Sequence, residues 1–304
     1  MQALETHAIQ IESTPHMPSL YLQQHKAFIR WVDIGDTGPV VIWLPGIGFP
    51  ALQNFIGTVT DLVFPTARSI LIDPLGAGRS DPVRGLSIIE HADAVVQVLD
   101  HLGCSDCTVV GYSMGGAIAA EVTVRRPDLV GHLILAEGNL LTGGGPGTRF
   151  MAEVSASDFR DTRLPEMLKG LLEGALKEDS VDDFILASWA RIDPEAFHDM
   201  ARALVALRPE LEADVLGLKL PRDYIFGANN LENPEERASK NLPDPARLRA
   251  AGVIVHEHKG VGHELMLADP KGFAALIAPL VFPTWRKIPD ASQQGIRHGS
   301  DISE

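Results

Sequence analysis

The sequence predicts an α/β fold in which a doubly wound, mostly parallel sheet carries an inserted helical segment. Three observations predict it. Short runs that are apolar nearly throughout, such as Val40 to Leu44, Ser69 to Ile72 and His132 to Ala136, have the length and composition of strands buried on both faces. They alternate with helical periodicities, as expected when a crossover helix joins parallel strands. Between Asn139 and about Gly217 the alternation ceases, and helical patterns follow one another with no strand between them.

In chain order, residues 1–18 show no organisation. Leu20 to Ile34 reads as two extended segments around Gln24-His25-Lys26, an antiparallel pair at a sheet edge. Val40 to Leu44 opens into Pro45-Gly46-Ile47-Gly48-Phe49-Pro50, a glycine-rich loop that exposes backbone N–H groups. Ser69 to Ile72 leads into the stretch Asp73 to Asp81, rich in glycine and turn formers. Ser87 and Glu90 form an S-x-x-E capping box. Ile88, Ala92, Val95, Val96, Leu99 and Leu102 then repeat on one helical face, and Gly103 ends the helix. Cys104 and Cys107 form a C-x-x-C, but at a helix end and strand start, a structural setting rather than a redox motif.

The β-branched run Thr108-Val109-Val110 stops at Gly111, and an alanine-rich helix runs from Met114 to Arg126. His132 to Ala136 is the next buried strand. The sheet resumes at Asp223 to Phe226, a helix covers Asp244 to Ala251, and Val253 to His256 is the last strand. Asp269-Pro270 caps a final helix whose Phe273, Leu276, Ile277 and Leu280 face inward. These signals divide the chain into a first core part (1–138), a helical cap (139–217), a second core part (218–282) and a polar tail (283–304).

Composition sets outer limits. A chain of 304 residues, 45% of them hydrophobic, can bury a large core. A net charge of −14 and a pI near 5.2 argue against nucleic acid and against anionic membrane surfaces as partners, since both are bound through basic patches. The N-terminal stretch has neither a basic start nor an apolar run, and no segment has the length to span a bilayer, so a cytoplasmic protein is expected. His256 and His258 have no carboxylate or cysteine partner at a ligand spacing, and neither a metal nor another cofactor is expected.

Chemistry concentrates at Gly111-Tyr112-Ser113-Met114-Gly115. A G-x-S-x-G between a buried strand and a helix is a nucleophile elbow, in which a strained turn pushes the serine Oγ into a cleft. Gly111 and Gly115 are expected there because a Cβ would strike the neighbouring strand and helix. The Met114 N–H, at the helix start, would face a developing oxyanion.

These residues resemble the α/β-hydrolase fold enzymes over about 20–282. The resemblance rests on the elbow Gly111 to Gly116, on Asp73 to Asp81 as a D-x-x-G-x-G-x-S-D turn, on Pro45-Gly46-Ile47-Gly48 in place of a His-Gly oxyanion loop, and on the late Gly262-His263. It implies an eight-stranded, mostly parallel sheet with a helical cap, Ser113 as nucleophile, His263 as general base and acid, and the Ile47 and Met114 N–H groups as oxyanion donors. Aspartate-nucleophile members are excluded by the serine.

The third member of such a triad is less direct. In most of the family it is an aspartate three residues after the glycine ending the last-but-one strand, and here that position is Asn230. Two carboxylates compete to replace it, Glu137 at the end of the strand after the elbow helix and Glu232. Glu137 is favoured because it directly follows an apolar run next to the elbow strand. Some mycotoxin lactonases of the fold are similar in this respect. The expectation is a serine hydrolase acting on a small to medium hydrophobic ester or lactone, with Gly46, Met151 and Trp189 as substrate-binding residues. A C–C bond hydrolase, a cofactor-free oxygenase and a non-catalytic ligand receptor on the same fold remain open. Oligomeric state is not encoded in any of these signals.

Overall fold

The computed structural model describes residues 17–61, 66–177 and 181–282. The tail from 283 onward, and 1–16 of the unorganised start, lie outside the described residues. Eight strands form one sheet: β1 Ser19–Leu22, β2 Ala27–Ile34, β3 Val40–Leu44, β4 Arg68–Asp73, β5 Cys107–Tyr112, β6 Val130–Ala136, β7 Arg222–Gly227 and β8 Ile254–His258. Their order is β1-β2-β4-β3-β5-β6-β7-β8. β2 is antiparallel to both neighbours, and every pairing from β4 to β8 is parallel.

Side chains of the inner strands alternate between two apolar layers, as a pleated strand requires. Ile42, Leu44, Ile70, Ile72, Val109, Leu133 and Leu135 pack on one face with the helices α2 (Ile88–His101) and α3 (Met114–Arg125). Val41, Trp43, Leu71, Val110, Ile134 and Ile225 pack on the other, with a helix at Ala51–Val59 (α1) and the final helix. Because both faces are covered, these strands read in sequence as continuous apolar runs. Ser87 caps α2 with the expected reciprocal bonds to Glu90, and Gly103 follows with φ 63°.

Two elements differ from expectation. Apolar spacing does not announce α1, since it is short and buries Asn54 and Thr58 beside Ala51, Phe55 and Val59. The last strand runs Ile254–His258 rather than 253–256, because pairing with β7 from Asp223↔Ile254 to Gly227↔His258 sets its limits. Ile254 itself is half exposed on this edge strand.

Between β6 and β7 come α4 Pro146–Ala152, α5 Ala156–Asp158, a π-helical turn Phe159–Arg163, α6 Leu164–Ala175, α7 Asp182–Trp189, α8 Pro194–Val205 and α9 Leu211–Gly217. They share a small core of Met151, Phe159, Leu164, Phe197 and Ala201. After β7 follow α10 Ala228–Glu232, α11 Pro234–Ser239 and α12 Pro245–Ala250, and after β8 α13 Leu265–Ala268 and α14 Pro270–Val281. No helix among the described residues is long and apolar enough to cross a membrane.

Candidate active site

β5 ends at Tyr112 and α3 begins at Met114, so Ser113 alone makes the turn, with φ 51° and ψ −116°. A non-glycine residue at positive φ is strained, and the turn is over-determined by what surrounds it. A Cβ on Gly111 would lie 2.4 Å from the Gly115 carbonyl oxygen, and one on Gly115 2.2 Å from that of Leu44. The glycines therefore let α3 sit directly on β3 and β5. The Ser113 amide donates to the Ala136 carbonyl at 3.1 Å, and its own carbonyl accepts from Gly116 and Asn139.

His263 lies on the loop between β8 and α13 and reaches the elbow. Its Nε2 is 3.1 Å from Ser113 Oγ, and its Nδ1 is 3.2 Å from Glu137 Oε2. A carboxylate can only accept, so Nδ1 carries the proton and Nε2 is free to accept from the serine hydroxyl. Glu137 stands one residue past β6 with φ 48°, fully buried. Its Oε1 accepts from the Gly227 amide at 2.7 Å and its Oε2 from Asn230 Nδ2 at 2.8 Å, so both oxygens are satisfied without water. Burial pushes the Tyr112 and Tyr224 phenols far above their ordinary range and holds them neutral, reinforced at Tyr112 by the Glu264 and then the Glu137 charge and at Tyr224 by Glu137.

The loop after β3 is held from three sides. Gly46 N–H donates to the buried Asn54 Oδ1 at 2.9 Å, and Ala51 N–H to Asp73 Oδ1 at 2.7 Å. Trp189, the last residue of α7, donates its indole N–H to the Ile47 carbonyl at 3.2 Å. The backbone N–H groups of Ile47 and Met114 have no acceptor among the described residues. Met114 is the first residue of α3, where an N–H has no intrahelical partner.

A cavity of about 480 Å³ opens on Ser113 and His263. The anticipated Gly46, Ile47, Met151 and Trp189 all line it, with Phe49, Ile185 and Leu267 adding apolar wall and Glu236, Lys240 and Glu264 a charged one. Glu232 is not brought here. It is exposed, does not line this cavity, and borders an adjoining depression with Asn229 and Asn233 that shares Glu236 and Lys240 with it. Two cavities of about 500 and 800 Å³ contain neither Ser113 nor His263.

No local signal in the sequence announces Asn54, which fastens the Gly46 loop from α1, or Asn139, whose Oδ1 lies 3.5 Å from Ser113 Oγ. The histidines without ligand spacing find carboxylates across the fold. His132 and His256 flank Asp223, each at 2.5 Å, and their hydrogen bonds hold that carboxyl at about 2 against the opposing effect of burial. His258 meets Asp269 at 3.2 Å. Among the described residues, no three His, Cys, Asp or Glu side chains cluster in a way that could hold a metal.

A sequence-family profile described as alpha/beta hydrolase fold matches residues 39–179, a stretch that includes the Gly46 loop, the Asp73 turn and the elbow. With the sheet order above, this decides the fold. The chain has the α/β-hydrolase fold. A 2-hydroxy-6-oxononadienedioate/2-hydroxy-6-oxononatrienedioate hydrolase of Paraburkholderia xenovorans (strain LB400) is 32% identical over 161 residues, 51% of this chain and 50% of the relative. This α/β-hydrolase chain spans about half the length of the curated relatives it matches. An esterase structure from Exiguobacterium antarcticum superposes with TM-score 0.71 at 19% identity, covering 88% of this chain and 99% of its own, a likeness of fold alone. Est816, described as an N-acyl homoserine lactone degrading enzyme, gives 0.63 at 25% identity, covering 86% and 98%.

Proposed function

We propose that this α/β hydrolase cleaves a carboxylic ester or lactone through an acyl-enzyme, with Ser113 as nucleophile, His263 as general base and acid, and Glu137 as orienting carboxylate. The observation that carries the reading is the unbroken line of contacts from Ser113 Oγ through the His263 ring to a fully buried Glu137. His263 Nε2 takes the serine proton as Oγ attacks the carbonyl carbon, and Glu137 stabilises the imidazolium that forms. The negative oxygen of the tetrahedral intermediate is held by the Ile47 and Met114 N–H groups. The imidazolium then protonates the departing alkoxide, and water, deprotonated by His263, releases the acid. Helices α4 to α9 act as a cap over the cleft, and the apolar wall of Ile47, Phe49, Met151, Ile185 and Trp189 favours a small to medium hydrophobic substrate.

One observation supports a second reading, cleavage of a C–C bond beside a ketone. It is the similarity of half the chain to the dienedioate hydrolase.

The test is a hydrolysis panel of p-nitrophenyl esters, lactones and a 2-hydroxy-6-oxo dienoate, run on wild type and Ser113→Ala. Turnover of esters or lactones that Ser113→Ala abolishes supports the first reading. Turnover of the dienoate alone favours the second, and a folded wild type inert toward all three sinks both.

A further inference from the structure

The side chain bonded to Glu137 beside His263 is an amide with a defined direction. Asn230 is fully buried on α10, and its Nδ2 donates to Glu137 Oε2 at 2.8 Å. Its Oδ1 accepts from Lys240 Nζ at 3.0 Å, and the same ammonium lies 3.0 Å from Glu236 Oε1. An amide set between an ammonium and a carboxylate has one favourable orientation, oxygen toward the cation and NH₂ toward the anion. Arg237 anchors the backbone beneath it by donating to the Asn230 and Leu231 carbonyls at 3.2 and 3.0 Å. Glu137 Oε2 therefore receives two donors at once, His263 Nδ1 and an amide that Lys240 prevents from turning over.

We infer that Asn230, clamped by Lys240, is a positioning residue that holds the Glu137 carboxylate turned toward His263. This rests on the reading of Glu137 as the orienting acid. Lys240 also borders the substrate cavity, so the clamp joins the charged wall of the pocket to the buried carboxylate. The other titratable groups facing the pair are His263, Glu236 and the neutral Tyr112 and Tyr224 phenols.

The experiment is the rate of phosphonylation by a serine-directed fluorophosphonate, followed by intact mass from pH 5.5 to 9. It compares wild type with Ser113→Ala, Asn230→Leu, Asn230→Asp and Lys240→Met. Asn230→Leu removes the donor and is expected to slow labelling about tenfold or more at every pH. Asn230→Asp keeps the shape, but donates to Glu137 only when protonated, so its deficit relative to wild type should grow as pH rises. Lys240→Met, at the partly exposed end of the clamp, should slow labelling about threefold or more, and it decides the matter should the buried variants misfold. Labelling of Lys240→Met within twofold of wild type, or an Asn230→Asp deficit that does not change with pH, overturns the proposal. An unlabelled wild type, or adduct surviving in Ser113→Ala, would instead overturn the serine-hydrolase reading beneath it.

Discussion

Ser113 and Glu137 occupy equivalent places on adjacent strands, each one residue beyond the end of its strand and each at positive φ. Tyr112 pairs with Ala136 in the β5–β6 register, so the two strained residues leave the sheet side by side. The Ser113 amide bonds the Ala136 carbonyl, and the Glu137 amide bonds the Ile225 carbonyl at 2.9 Å. The Ser113 hydroxyl and the Glu137 carboxylate thus reach His263 from neighbouring, rigid strand ends.

This geometry separates the two candidate acids. Glu137→Gln should lower the rate of acylation at Ser113 by about 10³ to 10⁴, the scale seen when a triad carboxylate becomes an amide. Glu232→Gln should stay within about twofold, since Glu232 is exposed and is not among the residues lining the Ser113 cavity. Pre-steady-state release of p-nitrophenol measures both. Equal losses in the two variants would remove Glu137 from its proposed role.

Trp189 carries two duties that different substitutions divide. It packs against Phe49 and Phe197, with ring centroids 6.1 and 5.0 Å away, and its indole N–H holds the Ile47 carbonyl. Trp189→Phe keeps most of the packing and loses the hydrogen bond, so kcat should fall about fivefold with folding stability nearly unchanged. Trp189→Ala also widens the cavity, and KM should change most for the bulkiest substrates. Kinetics over a series of acyl chain lengths, beside urea unfolding, checks both. A uniform loss of folded protein with normal KM would make Trp189 a packing residue only.

The parts of the site that local signals encode were legible in the sequence. The elbow is legible because Gly111, Ser113 and Gly115 must be contiguous, and β3 to β6 because burial on both faces leaves unbroken apolar runs. Glu137 was favoured over Glu232 in the sequence because it directly follows such a run at the end of a buried strand, whereas Glu232 follows the mixed stretch Asn229-Asn230-Leu231. Asn54, Asn139 and Lys240 were not legible, since each acts on a partner that only the packed fold brings within reach. For the same reason, Asp223 could not be read as the partner of His132 and His256, which lie 91 and 33 residues away in sequence. Asn230 was visible as an asparagine in an acid's position, but its bond to Glu137 depends on β6 and β7 being neighbours.

The two glycine classes in the chain predict opposite stability effects. Gly115→Ala would drive a Cβ to 2.2 Å from the Leu44 carbonyl oxygen, a backbone atom that cannot swing aside. It should cost about 3 kcal/mol or more and displace the elbow. Gly170 lies within α6, and a methyl group added there would meet nothing within 4 Å among the described residues, so Gly170→Ala should gain about 0.5–1 kcal/mol from helix propensity. Chemical denaturation of both variants tests the contrast, and a destabilised Gly170→Ala would mean that α6 is packed more tightly than its open surroundings indicate.

The pH dependence of stability should carry a contribution from His91, far from the proposed chemistry. This imidazole is buried on α2 with no hydrogen-bond partner for Nδ1 among the described residues, and burial pulls it down to about 4, against the weaker upward pull of Glu90. In the unfolded chain a histidine takes up its proton near 6.5. Between these values the unfolded state binds more protons, so stability falls as pH drops from about 6.5 to about 4, and His91 adds no further slope below that. The full effect is on the order of 3 kcal/mol, from 1.36 kcal/mol for each pH unit between the two values. His91→Gln cannot be protonated and should show a shallower loss of stability between pH 7 and pH 4.5, although it is less stable than wild type at pH 7. Carboxylates that acid also protonates are common to both proteins, so the difference between their unfolding free energies isolates the histidine. Parallel curves for the two proteins would show that His91 gains a proton in the folded state as readily as in the unfolded one.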